Sequence, residues 1–345
     1  MHNHTFVKPF QISDLLSPVA NPVSVPESER LARNSRVIWV VIAAMSVATI
    51  AGYWATGLSF AWSTMQAIGL GAVPCLVVAY CYRRLRPDVF VSVTTESFAQ
   101  LLLVLTLGAA LSYPLATIGF PYRDGLLHGA DVGLGLDWVA HFRFVSERPL
   151  LSLMTLLAYD SVLLQLVVLM VVLVPTRRFV RFQQFVLANA IGLCIALAVF
   201  AFMPAAGTYS FLQIGNGQLG DLSPVVTADQ KVYLDALRSG KQVLVDEMSG
   251  LITFPSFHTA WAIFFAWAFY PVKRLRAAAI LLNLVVLAAT PVQGAHYFID
   301  LVGGAIVAVI SIYGAVRLTR AAHRTRPVVA QPCPQDDAVN GTLIA

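Results

Sequence analysis

Phe254-Pro255-Ser256-Phe257-His258-Thr259-Ala260 runs directly into an apolar stretch, and so, further along, does Gly294-Ala295-His296-Tyr297-Phe298-Ile299-Asp300. Each places a histidine where an apolar run begins. In a membrane protein that is the point at which a helix meets water, and an ionisable side chain held there marks a functional site by default. The two stretches therefore make a joint demand: the surrounding fold is a bundle of membrane helices, and the bundle must bring both histidines to one end.

The rest of the chain meets the first demand. It is 345 residues long, 58% apolar and 12% charged, with a mean hydropathy of +0.72, which excludes a pair of soluble domains. A hydrocarbon core about 30 Å thick takes roughly 20 apolar residues per helix. Eight stretches approach or meet that, near residues 37–58, 63–82, 95–119, 154–175, 182–203, 255–272, 275–292 and 296–317. The expected fold is all-α, a polytopic membrane helical bundle of about eight transmembrane helices. Four cysteines, three in apolar runs and Cys333 near the C-terminus, have no disulfide or zinc spacing. Residues 1–36 are polar and contain no short apolar core ending in a cleavage site, so the first membrane helix is expected to direct insertion.

The charges meet the second demand. Arg30, Arg33 and Arg36 precede the first helix, while Arg83, Arg84 and Arg86 follow the second. Arg177, Arg178 and Arg181 follow the fourth, Lys273, Arg274 and Arg276 the sixth, and Arg317, Arg320, Arg324 and Arg326 the eighth. Every second linker is basic. By the positive-inside rule both termini are cytoplasmic, and linkers 59–62, 120–153, 204–254 and 293–295 face outward in a multi-pass cell-membrane protein. The sixth and eighth helices then both start on the outer side, where His258 and His296 can meet. The net charge of +5 lies in these short clusters and forms no basic face with interleaved aromatics, so nucleic acid is not an expected partner.

Two outer linkers carry local signals. Thr227-Ala228-Asp229-Gln230 reads as a capping box, with Thr227 as N-cap and Gln230 reaching back, and Gly240 as the stop. This predicts a short helix over 228–239 with Val232, Leu234 and Leu237 on its apolar side. Asp131-Val132-Gly133-Leu134-Gly135-Leu136-Asp137-Trp138 reads as an interfacial turn followed by an amphipathic piece. Beyond Arg317 the chain is expected to be a disordered tail.

The chemistry follows from spacing. His296 and Asp300 are i, i+4, so on a helix beginning near His296 they share a face. A carboxylate there holds the proton of one imidazole nitrogen and leaves the other as a nucleophile. Pro255 suits a first helical turn, with Ser256 and His258 beside backbone N–H groups that have no intrahelical partner, an arrangement that favours a phosphate. His258, protonated, is then the general acid for the leaving alcohol.

Phe-Pro-Ser-Phe-His followed by His-Tyr-Phe-Ile-Asp resembles the type 2 phosphatidic acid phosphatase (PAP2) superfamily, and within it the branch similar to inositol phosphorylceramide synthases. That resemblance implies a six-helix catalytic core, here residues 93–317, preceded by a cytoplasmic segment 1–36 and two additional helices within 37–92, and followed by a cytoplasmic tail 318–345. It implies that His296 attacks phosphorus to form a phosphohistidine, that Asp300 orients it, and that His258 protonates the leaving group. Ser256 and Phe257 then belong to the phosphate-binding turn. The chain departs from the common pattern where Phe257 replaces Gly, where Ala289-Thr290 replaces Ser-Arg, and where Ala79 replaces the first-motif cation before Arg86-Pro87. The clamping cations must come from the outer loops: Arg238 and Lys241 first, with Arg123, Arg143 and Arg148 behind them.

A metal site is the rival chemical reading, because His128 and His141 are also in an outer linker, but no ligand spacing connects them to the two motifs. Asp160, Gln165, Asn189 and Asn283 read as interhelical hydrogen-bonding residues, and Gly303 and Gly304 as points of close helix packing. The expected protein is a lipid phosphatase or phosphotransferase acting on a lipid phosphate ester among membrane lipids without a cofactor, hydrolysis being favoured over transfer. An inositol phosphorylceramide synthase-like transferase, or a transporter that keeps the bundle, is the alternative. Against the transporter stands the lack of paired Gly/Pro-interrupted helices in corresponding halves.

Overall fold

Apolar runs of this length satisfy their backbone groups in lipid only as helices, and the computed structural model has a helix at each of the eight expected places. It describes residues 26–60, 62–241, 244–245 and 250–321. The segment before them and the chain from residue 322 on, with Cys333, lie outside the described residues; residues 318–321, expected to open the disordered tail, instead continue the last helix. In chain order the elements are α1 (Glu27–Thr56), α2 (Trp62–Arg84), α3 (Val89–Ala116), α4 (Asp124–Gly133), α5 (Trp138–Ser146), α6 (Pro149–Leu173), α7 (Phe179–Phe202), α8 (Thr208–Phe211), α9 (Asp229–Arg238), α10 (Phe257–Phe269), α11 (Arg276–Gln293) and α12 (Phe298–Ala321). Helices α1, α3, α6, α7, α11 and α12 are long and apolar enough to cross a membrane. The chain is a polytopic helical membrane bundle. A two-residue parallel pairing of Ser59–Phe60 with Leu244–Val245 is the extended structure among the described residues.

Helix α7 is the hub, packed against α1, α3, α10 and α12. Every residue from Arg181 to Ala190 is buried, the polar ones included, as expected of a helix surrounded by other helices. Polar side chains tie its neighbours to it: Asn34 donates to Gln183 at 3.1 Å, Gln184 to Thr319 at 3.0 Å, and Trp261 to Asn189 at 2.7 Å. Asn283 donates to Gln165 at 2.8 Å between α11 and α6. Asp160, by contrast, is exposed on the outer face of α6. Two of the basic linker clusters also reach inward. Arg181 lies 4.1 Å over the Trp267 ring, and Arg83 pairs with Glu96, which also accepts from Trp39.

Three local expectations are corrected. The sixth helix is shorter than 255–272, because Pro255 stays outside it and its C-terminal end at Phe269 is followed by turns around Pro271. The capping box does not form: Ala228 is the N-cap of α9, Thr227 Oγ1 accepts from Asp229 N at 3.3 Å, and the Gln230 amide turns away to the Leu251 carbonyl. Leu234 and Leu237 are buried under α9 but Val232 is 69% exposed, since it stands about 200° around the helix from Leu234. The stop is as expected. Gly240 takes φ +69°, and the Lys241 N–H closes back on Ala236 O.

Candidate active site

The first half of the site is the turn into α10. Ser256 is its N-cap, with the hydroxyl accepting from Thr259 N at 3.3 Å. Phe257 and His258 are the first two helical residues, so their N–H groups have no intrahelical acceptor. Pro255, joined to Phe254 by a cis bond, precedes the helix. Phe257 is 9% exposed and packs on Trp261 and Phe264, leaving only its backbone to face a ligand.

The second half begins later than expected. Helix α12 starts at Phe298, and His296 stands in the turn before it, because Ala295 adopts φ +56° and His296 N donates back to Pro291 O. The pair forms all the same. His296 Nδ1 is 3.1 Å from Asp300 Oδ2, with both side chains almost fully buried, and the same oxygen accepts from Tyr297 N at 2.9 Å. The carboxylate thus orients the imidazole and the backbone that carries it.

Close packing joins the halves. Ser256 N donates to the Asp300 carbonyl at 3.2 Å. A Cβ at Gly304 would stand 2.8 Å from Thr259 Cβ, and one at Gly303 3.0 Å from Pro255 Cβ, so no side chain separates α12 from the first turn. Tyr159 of α6 closes the gap between the histidines: its hydroxyl is 3.0 Å from His258 Nδ1 and its ring stacks on the imidazole at 4.1 Å.

A buried frame holds the second turn. Trp138 Nε1 donates to the His296 carbonyl at 3.0 Å. Asp131 accepts from Phe298 N and Ile299 N, each at 2.8 Å, so α4 caps α12 with a carboxylate, the sign of charge a helix N-terminus favours. Burial raises the Asp131 pKa above its ordinary value, partly offset by these amides and by His128. Asp124, one further turn-pair back on the same helix face, accepts from Ala206 N, Gly207 N and the Tyr297 hydroxyl. Burial first, then the Asp124 carboxylate, holds the Tyr297 phenol above its ordinary pKa, so it remains a donor. None of Tyr159, Asp124, Asp131, Trp138 and Tyr297 was singled out as a site residue. The available signal was the i, i+7 spacing of Asp124 and Asp131.

Arg238 and Lys241 are not gathered with the histidines. The Arg238 guanidinium lies 3.9 Å over Tyr122 and donates to Ala116 O at 3.2 Å, at the end of α3. Lys241 is exposed in the turn after α9. Arg148 folds onto Phe144, and Arg143 is exposed on α5. Arg123 is exposed at the start of α4, where its N–H bonds Pro204 O in the segment that packs on Ala295. His128 packs on Phe211 and Tyr297, while His141 is bonded to Ala288 O and held below its ordinary pKa by burial. Among the described residues no three His, Cys, Asp or Glu side chains are grouped to hold a metal ion.

A carboxylate-oriented imidazole facing a second imidazole at a helix N-terminus can attack an electrophile with one ring and move a proton with the other. A family model described as the PAP2 superfamily matches residues 126–314, more than half of the chain. No curated protein and no solved structure matches it.

Proposed function

Because the chain belongs to the PAP2 superfamily, we propose that it hydrolyses a lipid phosphate ester at the extracytoplasmic face of its membrane through a phosphohistidine on His296. The observation that carries this is the His296–Asp300 pair, 3.1 Å apart and buried, with His258 brought to the same turn through Tyr159. His296 Nε2 attacks phosphorus. The P–O bond to the lipid alcohol breaks as the N–P bond forms, and protonated His258 delivers Nε2–H to the leaving oxygen. Water then attacks the phosphoryl group, gives a proton to His258, and frees His296 as the N–P bond breaks. Asp300 balances the charge that His296 gains while phosphorylated.

Positive charge for the phosphate comes from the His258 imidazolium, the free N–H groups at the start of α10, and Arg123. That arginine is preferred to Arg238, whose guanidinium is occupied by Tyr122 and Ala116. The extracytoplasmic assignment is supported by the alternation of basic linkers along the sequence.

The test is to supply the purified protein with a panel of phospholipids and isoprenyl phosphates and follow free phosphate and new lipid species together. Phosphate release lost in His296→Ala supports hydrolysis. A new lipid without phosphate release would move the assignment to head-group transfer, the inositol phosphorylceramide synthase-like alternative. Silence in both channels would remove the enzymatic reading.

A further inference from the structure

Tyr159 lies outside both histidine motifs, on a long and mainly apolar helix, yet its hydroxyl is hydrogen-bonded to His258. Its hydroxyl is 3.0 Å from Nδ1, and the two rings stack with centroids 4.1 Å apart and planes 18° from parallel. The hydroxyl also reaches the second motif. A Cβ placed on Gly294 would meet it at 2.5 Å and His296 Cδ2 at 2.8 Å, so the phenol fills the space between the two histidine turns that glycine leaves open. Tyr159 is 3% exposed, and its helix neighbour one turn back, Thr155, is bonded to Gln293 at 3.1 Å, which fixes α6 against the end of α11.

Resting on the phosphohistidine reading above, we propose that Tyr159 is the positioning residue that dedicates His258 Nε2 to proton transfer. An imidazolium has two N–H groups, and a buried one without an acceptor disfavours the charged ring. The Tyr159 oxygen accepts Nδ1–H, so the proton given to the leaving alkoxide is the one on Nε2. Once that proton has gone, Nδ1–H stays on Tyr159 and bare Nε2 faces the water that attacks the phosphohistidine. The same nitrogen then serves as acid in the first half-reaction and as base in the second, with no rotation of the ring. Stacking on the phenol holds the plane in which it does so.

Tyr159→Phe keeps the ring and removes only the hydroxyl. General acid–base catalysis contributes about 10²–10⁴-fold, and the expected loss is a part of it. For a lipid substrate with an alkoxide leaving group, kcat falls roughly 10-fold or more while KM changes less than about 3-fold. Formation of the phosphoenzyme from an aryl phosphate, whose leaving group needs no proton, changes little; its hydrolysis slows as the lipid turnover does. Tyr159→Leu, which loses the stack as well, loses more than the Phe variant with both substrates. Equal kcat on the lipid for wild type and Tyr159→Phe, in a wild type that His296→Ala inactivates, overturns the role of Tyr159 and leaves the histidine mechanism standing. A rise in KM with kcat unchanged would make Tyr159 a substrate-binding group and overturn it too. A wild type that forms no phosphoenzyme from either donor refutes the underlying reading.

Discussion

Replacing Gly304 with alanine asks how much of the activity depends on the contact between α12 and the first histidine turn. The added Cβ would stand 2.8 Å from Thr259 Cβ and nearer still to the Ser256 carbonyl oxygen. Carbon atoms pack at about 3.5–4.0 Å, so the Ser256–Thr259 turn and α12 must part by about 1 Å. The obstacle on one side is backbone, which no rotamer change can remove. Overpacking costs about 1–3 kcal/mol, and Gly→Ala in a helix returns up to about 1 kcal/mol, so the bundle should stay folded. The catalytic cost is larger. A 1 Å misplacement of reacting groups costs about 10²-fold, and His258 rides on the displaced turn while His296 stays with α12. Steady-state kcat on the lipid phosphate should fall about 100-fold, with the thermal midpoint in detergent shifted by only a few degrees. Gly303→Ala, which meets the side chains of Pro255 and Phe254 at 3.0–3.1 Å, should have a smaller effect, and Gly129→Ala, with nothing within 4 Å, none. Wild-type kcat in Gly304→Ala would refute the claim that the two turns must be in contact for turnover.

Three further outcomes follow from the frame around the site. The Asp131 pKa is raised in the folded state, so its contribution to stability is present below the ordinary value of 3.8 and declines as pH rises through the raised value. Asp131→Asn keeps an acceptor for Phe298 N or Ile299 N but cannot titrate; thermal midpoints from pH 3.5 to 7 should show the variant gaining on wild type as pH rises, and parallel curves would contradict the shift. Arg238→Ala should change KM for the lipid phosphate less than about 3-fold while lowering the thermal midpoint, because its contacts are Tyr122 and Ala116; a tenfold or greater rise in KM would return it to the phosphate site. Arg123→Ala should raise KM at least tenfold with little change in thermal midpoint, and an unchanged KM would remove it as the clamping cation.

The eight helix positions and the His296–Asp300 pair were legible because both rest on period and length, which the sequence carries in full. The geometry of the pair was not. His296 precedes its helix, because Ala295 turns left-handed and Asp131 caps α12 from a distant element, a contact no local pattern announces. The capping box at Thr227 failed for a similar reason, since the Leu251 carbonyl competes for Gln230. Arg238 had the right charge in the right linker, but side-chain direction is decided by tertiary partners, and Tyr122 offers its ring face. Tyr159 escaped notice because a tyrosine in an apolar run reads as an ordinary core aromatic. Only the fold sets its hydroxyl against a histidine 99 positions away.

The most direct test of the central claim is to identify the residue phosphorylated during turnover. The protein is mixed with a labelled phosphate donor, quenched in alkali, digested and sequenced by mass spectrometry. The account predicts an acid-labile, alkali-stable phosphoryl group on His296, absent from His296→Ala and accumulating in a His258 variant supplied with an aryl phosphate. Label on His258 instead, or full turnover in His296→Ala, would contradict it.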